Sequence, residues 1–564
     1  MTEAAVTAVT RTSDGLPGAG ALPNGNVKPD SEGGASETSR ELPPRITRDA
    51  LKKWAELVTH AGAAVGGDST LRTSTALAPF TLRRAASVPR STAGDVTYAA
   101  TSARAAQATW ALCPFAKRAA IALRFHDLLL ARQDEVLDLI QWETGKARFH
   151  AYQEVAQVAM LARHYARRGR HYLREERHRG FVFGLTKVRE VRVPKGVVGV
   201  ISPWNYPLYL GVGDALPALL AGNAVVSKAD AQTPLTLLWT LNLLLEAGLP
   251  EDLWQVVVGE GSVVGSALID AVDFICFTGS TRTGRVVAER AGRRLIGASL
   301  ELGGKNPAIV CADADLERAP QGIALGAFTN AGQMCIHLER VYVHRDVYDS
   351  FVAALVRASR AVTIGQTYGY EAEMGCLVSA DQLARVEAQV ADASRKGAHV
   401  LTGGRARPDI GPLVYEPTVL EGVTPDMDLH AEETFGPVLA VYRVDSDEEA
   451  IRCANASSYG LSASVWSRDV ARAEAIARRV MCGAVNVNDG AAAAAGSIEA
   501  PMGGMRQSGL GRRHGAEGIR RFTDVQTIAV QRLLPLAPPR GVTLESYAGF
   551  ITKQLKLLRA FGVR

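Results

Sequence analysis

At 564 residues the chain exceeds what one hydrophobic core usually holds, so two or more domains are expected. Its 47% hydrophobic and 21% charged residues are ordinary for a globular protein. A net charge of +5 is too small to indicate nucleic acid, which calls for a basic stripe with interleaved aromatics.

In chain order, residues 1–45 are rich in Thr, Ser, Gly, Pro and Ala, and bury too little apolar surface to offset their ordering entropy. They are expected to be disordered. Helical periodicity then runs through 116–142 and 151–165. The arginine-rich stretch 164–179 reads as a solvated helical face. Runs at 181–183 and 188–193 read as a hairpin. Strand candidates 196–201, 224–227, 254–258 and 274–277 alternate with helical patterns such as 235–247, which is the βαβ rhythm of a doubly wound, mostly parallel sheet. A second α/β pattern spans about 307–487, with strands at 338–343 and 438–442. The tail 541–564 repeats Leu544, Ala548, Ile551, Leu555, Leu558 and Phe561 at helical spacing, with Lys553, Lys556 and Arg559 between them. Such a helix packs on its own protein or an oligomer partner, or makes a weak contact with a membrane surface.

The seven cysteines are Cys113, Cys276, Cys311, Cys335, Cys376, Cys453 and Cys482. Their odd number and wide spacing give neither a disulfide framework nor a metal site, and they point to a reduced compartment with room for one reactive thiol. With no signal-peptide pattern and no membrane-spanning apolar run, a cytoplasmic location is expected.

Phe277-Thr278-Gly279-Ser280, followed by Gly284, ends a strand and opens a helix. Such glycines let backbone approach a diphosphate, and helix-terminal amides favour its charge. The same run reads equally well as a tight turn. Lys228 ends another strand, at the edge of a doubly wound sheet that faces a ligand; its other reading is a surface lysine. Glu301 and Cys335 lie 34 residues apart, each among small residues. A cysteine can attack an aldehyde, the adduct can lose hydride to a nicotinamide, and a carboxylate can activate the water that releases the acid. Asn205, with the Cys335 amide, could steady the oxyanion. Alone, these are a buried thiol, a surface acid and a turn residue.

Taken together and in order, Pro203-Trp204-Asn205, the 277–284 run, Glu301-Leu302-Gly303-Gly304-Lys305-Asn306-Pro307, Gly332-Gln333-Met334-Cys335, Glu433-Thr434-Phe435-Gly436-Pro437 and Pro501-Met502-Gly503-Gly504 resemble the motif set of the aldehyde dehydrogenase superfamily. The similarity covers about 70–530 and extends in texture to a bacterial NADP-type succinate-semialdehyde dehydrogenase branch. It implies Cys335 as nucleophile, Glu301 as hydrolytic base and Asn205 as oxyanion donor, with no metal. It implies a dinucleotide held by Ile201, Ser202, Pro203, Trp204, Lys228, Ala231, Gly261, Gly265, Phe277, Thr278, Gly279, Ser280, Gly284, Leu302, Glu433 and Phe435. Tyr206, Tyr209, Met334, Ser497 and Met502 would line the substrate pocket.

The implied fold is α/β: a Rossmann-like cofactor domain (50–179 and 195–300), a catalytic domain (301–519) and oligomerisation strands (180–194 and 520–534), assembled as a homodimer or homotetramer. The tail 535–564 lies outside it. Ala231 stands where NAD-preferring relatives often carry a glutamate, and its lack of charge favours NADP, with NAD the alternative. Better-known succinate-semialdehyde dehydrogenases have arginines at the positions of Gly213 and Thr329, and their absence leaves an apolar aliphatic or aromatic aldehyde as the alternative substrate. His337, two residues past Cys335, reads as a packing residue. A CoA-acylating enzyme would not need Glu301, and a cysteine hydrolase would need a histidine base. A non-catalytic relative would not need Cys335, Glu301 and Asn205 together.

Overall fold

The computed structural model describes residues 42–60, 73–180, 186–531 and 537–562. Between Lys195 and Glu301, apolar runs too continuous for a half-exposed strand assemble a parallel sheet covered on both faces. Its strand order is Gly509–Leu510, Gly297–Glu301, Phe274–Thr278, Val197–Ile201, Ala224–Ala229, Trp254–Val258. All neighbours are parallel except Gly509–Leu510. The chain builds outward from Val197–Ile201 through Ala224–Ala229 to Trp254–Val258, then crosses to add Phe274–Thr278 on the other side. The direction reverses at the carboxyl ends of Val197–Ile201 and Phe274–Thr278, the place where open α/β sheets bind ligands.

The helices Pro207–Leu220 and Pro234–Glu246 are apolar around their whole circumference and are buried against this sheet. Each begins with proline, whose missing N–H costs nothing in a first turn. Their remaining free amides are met by buried carboxylates. Glu143 accepts from the amides of Leu235 and Thr236, and Glu154 from those of Leu208 and Tyr209.

A second sheet of seven strands follows, in the order His399–Thr402, Thr418–Glu421, Val438–Val444, Leu338–His344, Asn306–Val310, Ser462–Trp466, Ala484–Val487. Only His399–Thr402 is antiparallel. The chain passes from one sheet to the other between Glu301 and Asn306, so carboxyl ends of the first sheet and amino ends of the second bound the same space. A third sheet pairs Thr523–Gln531 with Thr186–Pro194 and the latter with Glu176–Arg179, all antiparallel. Thr523–Gln531 is an exposed edge.

Several sequence expectations need correction. Residues 42–45 are packed: Pro43 is buried, and Arg45 bonds through backbone and side chain to the buried Asp138. The single helix expected over 116–142 is two, Phe115–Ala131 and Gln133–Thr144. The basic stretch 164–179 is helical only to Tyr172, then forms the strand Glu176–Arg179. A small antiparallel pair, Thr73–Leu77 with Arg84–Pro89, was not anticipated. The expectations for 1–41, for the hairpin run at 181–183 and for 532–534 lie outside the described residues.

Candidate active site

Glu301 is the last residue of its strand and is buried. Its Oε1 has no hydrogen-bond partner among the described residues. Burial pushes the carboxyl up to about 7, against the opposing pull of Arg513 and Arg521. An unpartnered buried carboxylate is costly to keep and is typical of a site that must move a proton.

Cys335 reaches the same space from the other sheet. Asn330, Ala331 and Gly332 are three successive left-handed residues (φ 54, 54 and 71°), forming a tight reverse turn ahead of the strand Leu338–His344. At Gly332 a Cβ would lie 1.9 Å from the Gly436 carbonyl oxygen, so only glycine fits. Asn306 fixes the far side of the loop, donating from Nδ2 to the carbonyls of Cys335 (2.8 Å) and His337 (2.7 Å). Burial and the nearby Glu301 and Glu433 carboxylates push the Cys335 thiol up to about 12, so the resting side chain is a neutral thiol. Asn205, buried just ahead of Pro207–Leu220, donates from Nδ2 to the Gln333 carbonyl at 3.1 Å. Its second amide hydrogen is left for another acceptor.

Two cavities meet at these three side chains. One, of about 560 Å³, runs along Ala156, Met160, Tyr206, Tyr209, Met334, Met502 and one face of Arg318–Phe328, and includes Asn205, Glu301 and Cys335 in its lining. The other, of about 200 Å³, is lined by Pro203, Trp204, Thr278, Gly279, Ser280, Leu302, Glu433 and Phe435, and again by Asn205, Glu301 and Cys335. Sequence reasoning missed Arg318 in the first, and Gln382 and Arg385 in the second.

The smaller cleft opens at the topological switch point of the first sheet. Ser280 caps the helix Thr281–Arg293, accepting from the Thr283 amide, so the free amides of that first turn face the strand ends. Glu433 accepts from the Gly304 amide at 2.9 Å, and burial pushes its carboxyl up to about 7. Phe435, itself left-handed, packs edge-on against Trp204 and His337. Lys228 is buried at the end of its strand, in register with Ile201, ahead of the partly exposed Ala231. Ser202 is buried beside them.

Other sequence candidates sit elsewhere. Gly284 has Leu302 where its side chain would be, so it serves helix–strand packing. Gly261 and Gly265 bound a short π-helical turn after Trp254–Val258, and neither lines the two cavities. Ser497 is a correction. Its hydroxyl accepts from the Ala500 amide within its own turn and is not part of the lining. His337 is buried with Nδ1 against the Met334 carbonyl, and burial lowers its pKa, which fits packing.

The sequence pattern of the aldehyde dehydrogenase family matches residues 66–528. A Mycolicibacterium smegmatis protein provisionally named succinate-semialdehyde dehydrogenase [NADP(+)] is 52% identical over 464 residues, covering 82% of this chain and 90% of the relative. Betaine aldehyde dehydrogenase of Bacillus subtilis is 36% identical, covering 80% of this chain and 92% of its own. Among solved structures, succinate-semialdehyde dehydrogenase from Burkholderia pseudomallei aligns with a TM-score of 0.78 at 34% identity, over 82% of this chain and 95% of that one. An NAD+ complex of a Bacillus cereus aldehyde dehydrogenase aligns with a TM-score of 0.78 at 35% identity, over 82% and 93%. The chain belongs to the aldehyde dehydrogenase family.

Proposed function

We propose that this protein oxidises succinate semialdehyde to succinate with NADP+, and accepts NAD+ less well. The observation that carries the reading is the meeting of two cavities at Cys335, Glu301 and Asn205. A thiol there faces a substrate on one side and a dinucleotide on the other.

The residues present suit a dinucleotide. The switch-point cleft offers helix-terminal amides behind Ser280 for a diphosphate, the Glu433 carboxylate for ribose hydroxyls and Phe435 for the nicotinamide, and Lys228, in register with Ile201, would meet the second ribose. When bound, the dinucleotide supplies a hydride acceptor. Cys335 Sγ bonds to the aldehyde carbon, and the thiol proton is released to water. The second Asn205 N–H and the Cys335 amide hold the oxygen that becomes negative. Once hydride has left, a thioester remains. Glu301 then takes a proton from water, which breaks the carbon–sulfur bond and frees the acid.

NADP+ is supported by the name of the Mycolicibacterium smegmatis relative and by uncharged Ala231. Succinate semialdehyde is supported by that name and by the name of the Burkholderia pseudomallei structure. One observation favours an apolar aliphatic or aromatic aldehyde as a second reading. Of the arginines lining the larger cavity, Arg513 is committed to Asp214 and Thr278, and Arg318 stands a whole helix away from Thr329, roughly 16 Å by helical rise. Initial rates with succinate semialdehyde, a C6 aldehyde and benzaldehyde, each with both dinucleotides, decide. Succinate semialdehyde should give the highest kcat/KM, and Cys335→Ala should abolish reduction of the dinucleotide with every substrate. A wild-type rate in Cys335→Ala would refute the nucleophile.

The protein is proposed to act as a cytoplasmic homodimer or homotetramer, joined through the exposed nine-residue edge Thr523–Gln531 with Val525, Ile528 and Val530. Light scattering at a monomer mass would refute this. Leu544–Ala560, beyond the family-matched region, buries no residue and exposes Leu544, Phe550, Leu555 and Leu557, as does the adjoining Phe561, with Lys553, Lys556 and Arg559 on its polar side. This supports a weak contact with an anionic membrane surface. Flotation of the full chain with phosphatidylglycerol vesicles at low salt should capture it, and its absence from the floated fraction would refute the contact. No helix among the described residues is long and apolar enough to cross a membrane.

A further inference from the structure

The buried ion pair of Lys146 and Glu154 has no place in the chemistry above, and stability alone explains it poorly. Both side chains are fully buried, with Nζ 2.6 Å from Oε1. Apolar residues of similar volume often stabilise a core as well as such a pair. What distinguishes this pair is what else it holds. The Lys146 ammonium also donates to the Asn205 carbonyl at 2.5 Å and sits 3.9 Å over the Tyr206 ring. The other oxygen of Glu154 accepts from the amides of Leu208 (3.0 Å) and Tyr209 (3.1 Å). One ion pair therefore holds Asn205, Tyr206, Leu208 and Tyr209.

The Asn205 carbonyl is also tied to the nucleophile loop. Asn330 Nδ2 donates to it at 3.2 Å and to the Gln333 carbonyl at 3.0 Å. The Asn205 side chain spends its first N–H on that same Gln333 carbonyl. The left-handed Asn330 is held in turn through its backbone amide by His150 Nδ1 at 3.1 Å. That bond needs a neutral imidazole, and burial together with the Lys146 charge keeps His150 neutral by lowering its pKa to about 3. The ammonium thus acts on both partners of the site at once.

We propose that Lys146, anchored by Glu154, is a positioning residue that sets the Asn205 amide against the Cys335 loop. This rests on the reading of Asn205 as oxyanion donor. The effect is sensitive because misplacement of a reacting group by about 1 Å can cost on the order of 100-fold in rate.

The experiment is a double-mutant cycle on the pre-steady-state burst of reduced dinucleotide, using Asn205→Ala, Lys146→Met and both together. Each single change should slow the burst by about 100-fold, in line with loss of one oxyanion donor. The double variant should fall within about threefold of the slower single variant, because the lysine acts through the asparagine. Dinucleotide affinity, read by fluorescence quenching, should stay within about twofold. If Lys146→Met does not fold, Lys146→Met with Glu154→Gln removes both charges and takes its place in the cycle. Multiplying losses, or a wild-type burst in the lysine variant, would overturn the proposal. A wild-type burst in Asn205→Ala would instead overturn the oxyanion reading on which it rests.

Discussion

Two glycines behind the walls of the site, neither itself in the lining, lack a side chain for different reasons. Gly332, in the loop that carries Cys335, has a positive φ and a carbonyl oxygen occupying the place of its Cβ. Gly213 lies inside the helix Pro207–Leu220, one turn past Tyr209, and a Cβ there would touch only the Tyr209 ring at 3.8 Å. The first is glycine because nothing else fits. The second stays glycine although alanine would fit and would favour the helix by roughly 1 kcal/mol. The contrast separates a Cys335 loop fixed to within a methyl group from a helix with spare room behind Tyr209.

The steepest consequence falls on the loop. Gly332→Ala must move either the Gly436 carbonyl or the Cys335 turn, so it should cost at least about 100-fold in burst rate and lower the melting temperature. A variant keeping a third of wild-type activity would remove the steric argument.

The next effect is of pH on the base between the two walls. A carboxyl near 7 binds its proton as pH falls through that value, so the ionised base is present above it and lost below. Steady-state rates limited by thioester hydrolysis should drop about tenfold per unit below about pH 7. Glu301→Gln should keep a burst, turn over slowly and lose this acid limb. A limb centred near the ordinary carboxyl value of 4.5 would contradict the effect of burial.

A smaller effect is expected where the cofactor is chosen. Ala231→Glu places a carboxylate in the loop after Lys228, and should raise the KM for NADP+ about tenfold relative to NAD+ through like-charge repulsion. Equal changes for both would sever Ala231 from the choice.

What could be read beforehand follows the same contrast. The parallel strands were legible because burial on both faces leaves continuous apolar runs, as in 254–258, where expectation and structure coincide. Cys335, Glu301 and Asn205 became candidates only through the ordered set of motifs around them, since alone they read as a buried thiol, a surface acid and a turn residue. Their supports were not. Lys146 lies in the short link between the helices Gln133–Thr144 and Arg148–Tyr172, and Glu154 in the second of them, where a lysine and an acid read as surface residues; only the tertiary fold buries them together. Arg513 and Asp214 likewise lie 299 residues apart and meet in a buried bidentate pair. Ser497 was misjudged because a serine near a cavity is indistinguishable, in sequence, from one bonded within its own turn.

The gentlest test concerns the roomy wall. Gly213→Arg adds a guanidinium where the helix has space for the start of a side chain and where leaving glycine improves helix propensity, so the fold should tolerate it. Extended past Tyr209 toward the mostly apolar cavity, the long side chain would offer a bidentate partner to a distal carboxylate. The KM for succinate semialdehyde should fall by about threefold while that for a C6 aldehyde rises by a similar factor, with kcat nearly unchanged because the Cys335 loop is untouched. If the arginine leaves both KM values where they were, the space beside Tyr209 is not part of the substrate's path. If it lowers kcat for both, the two walls are mechanically linked, and the separation drawn from Gly332 and Gly213 fails.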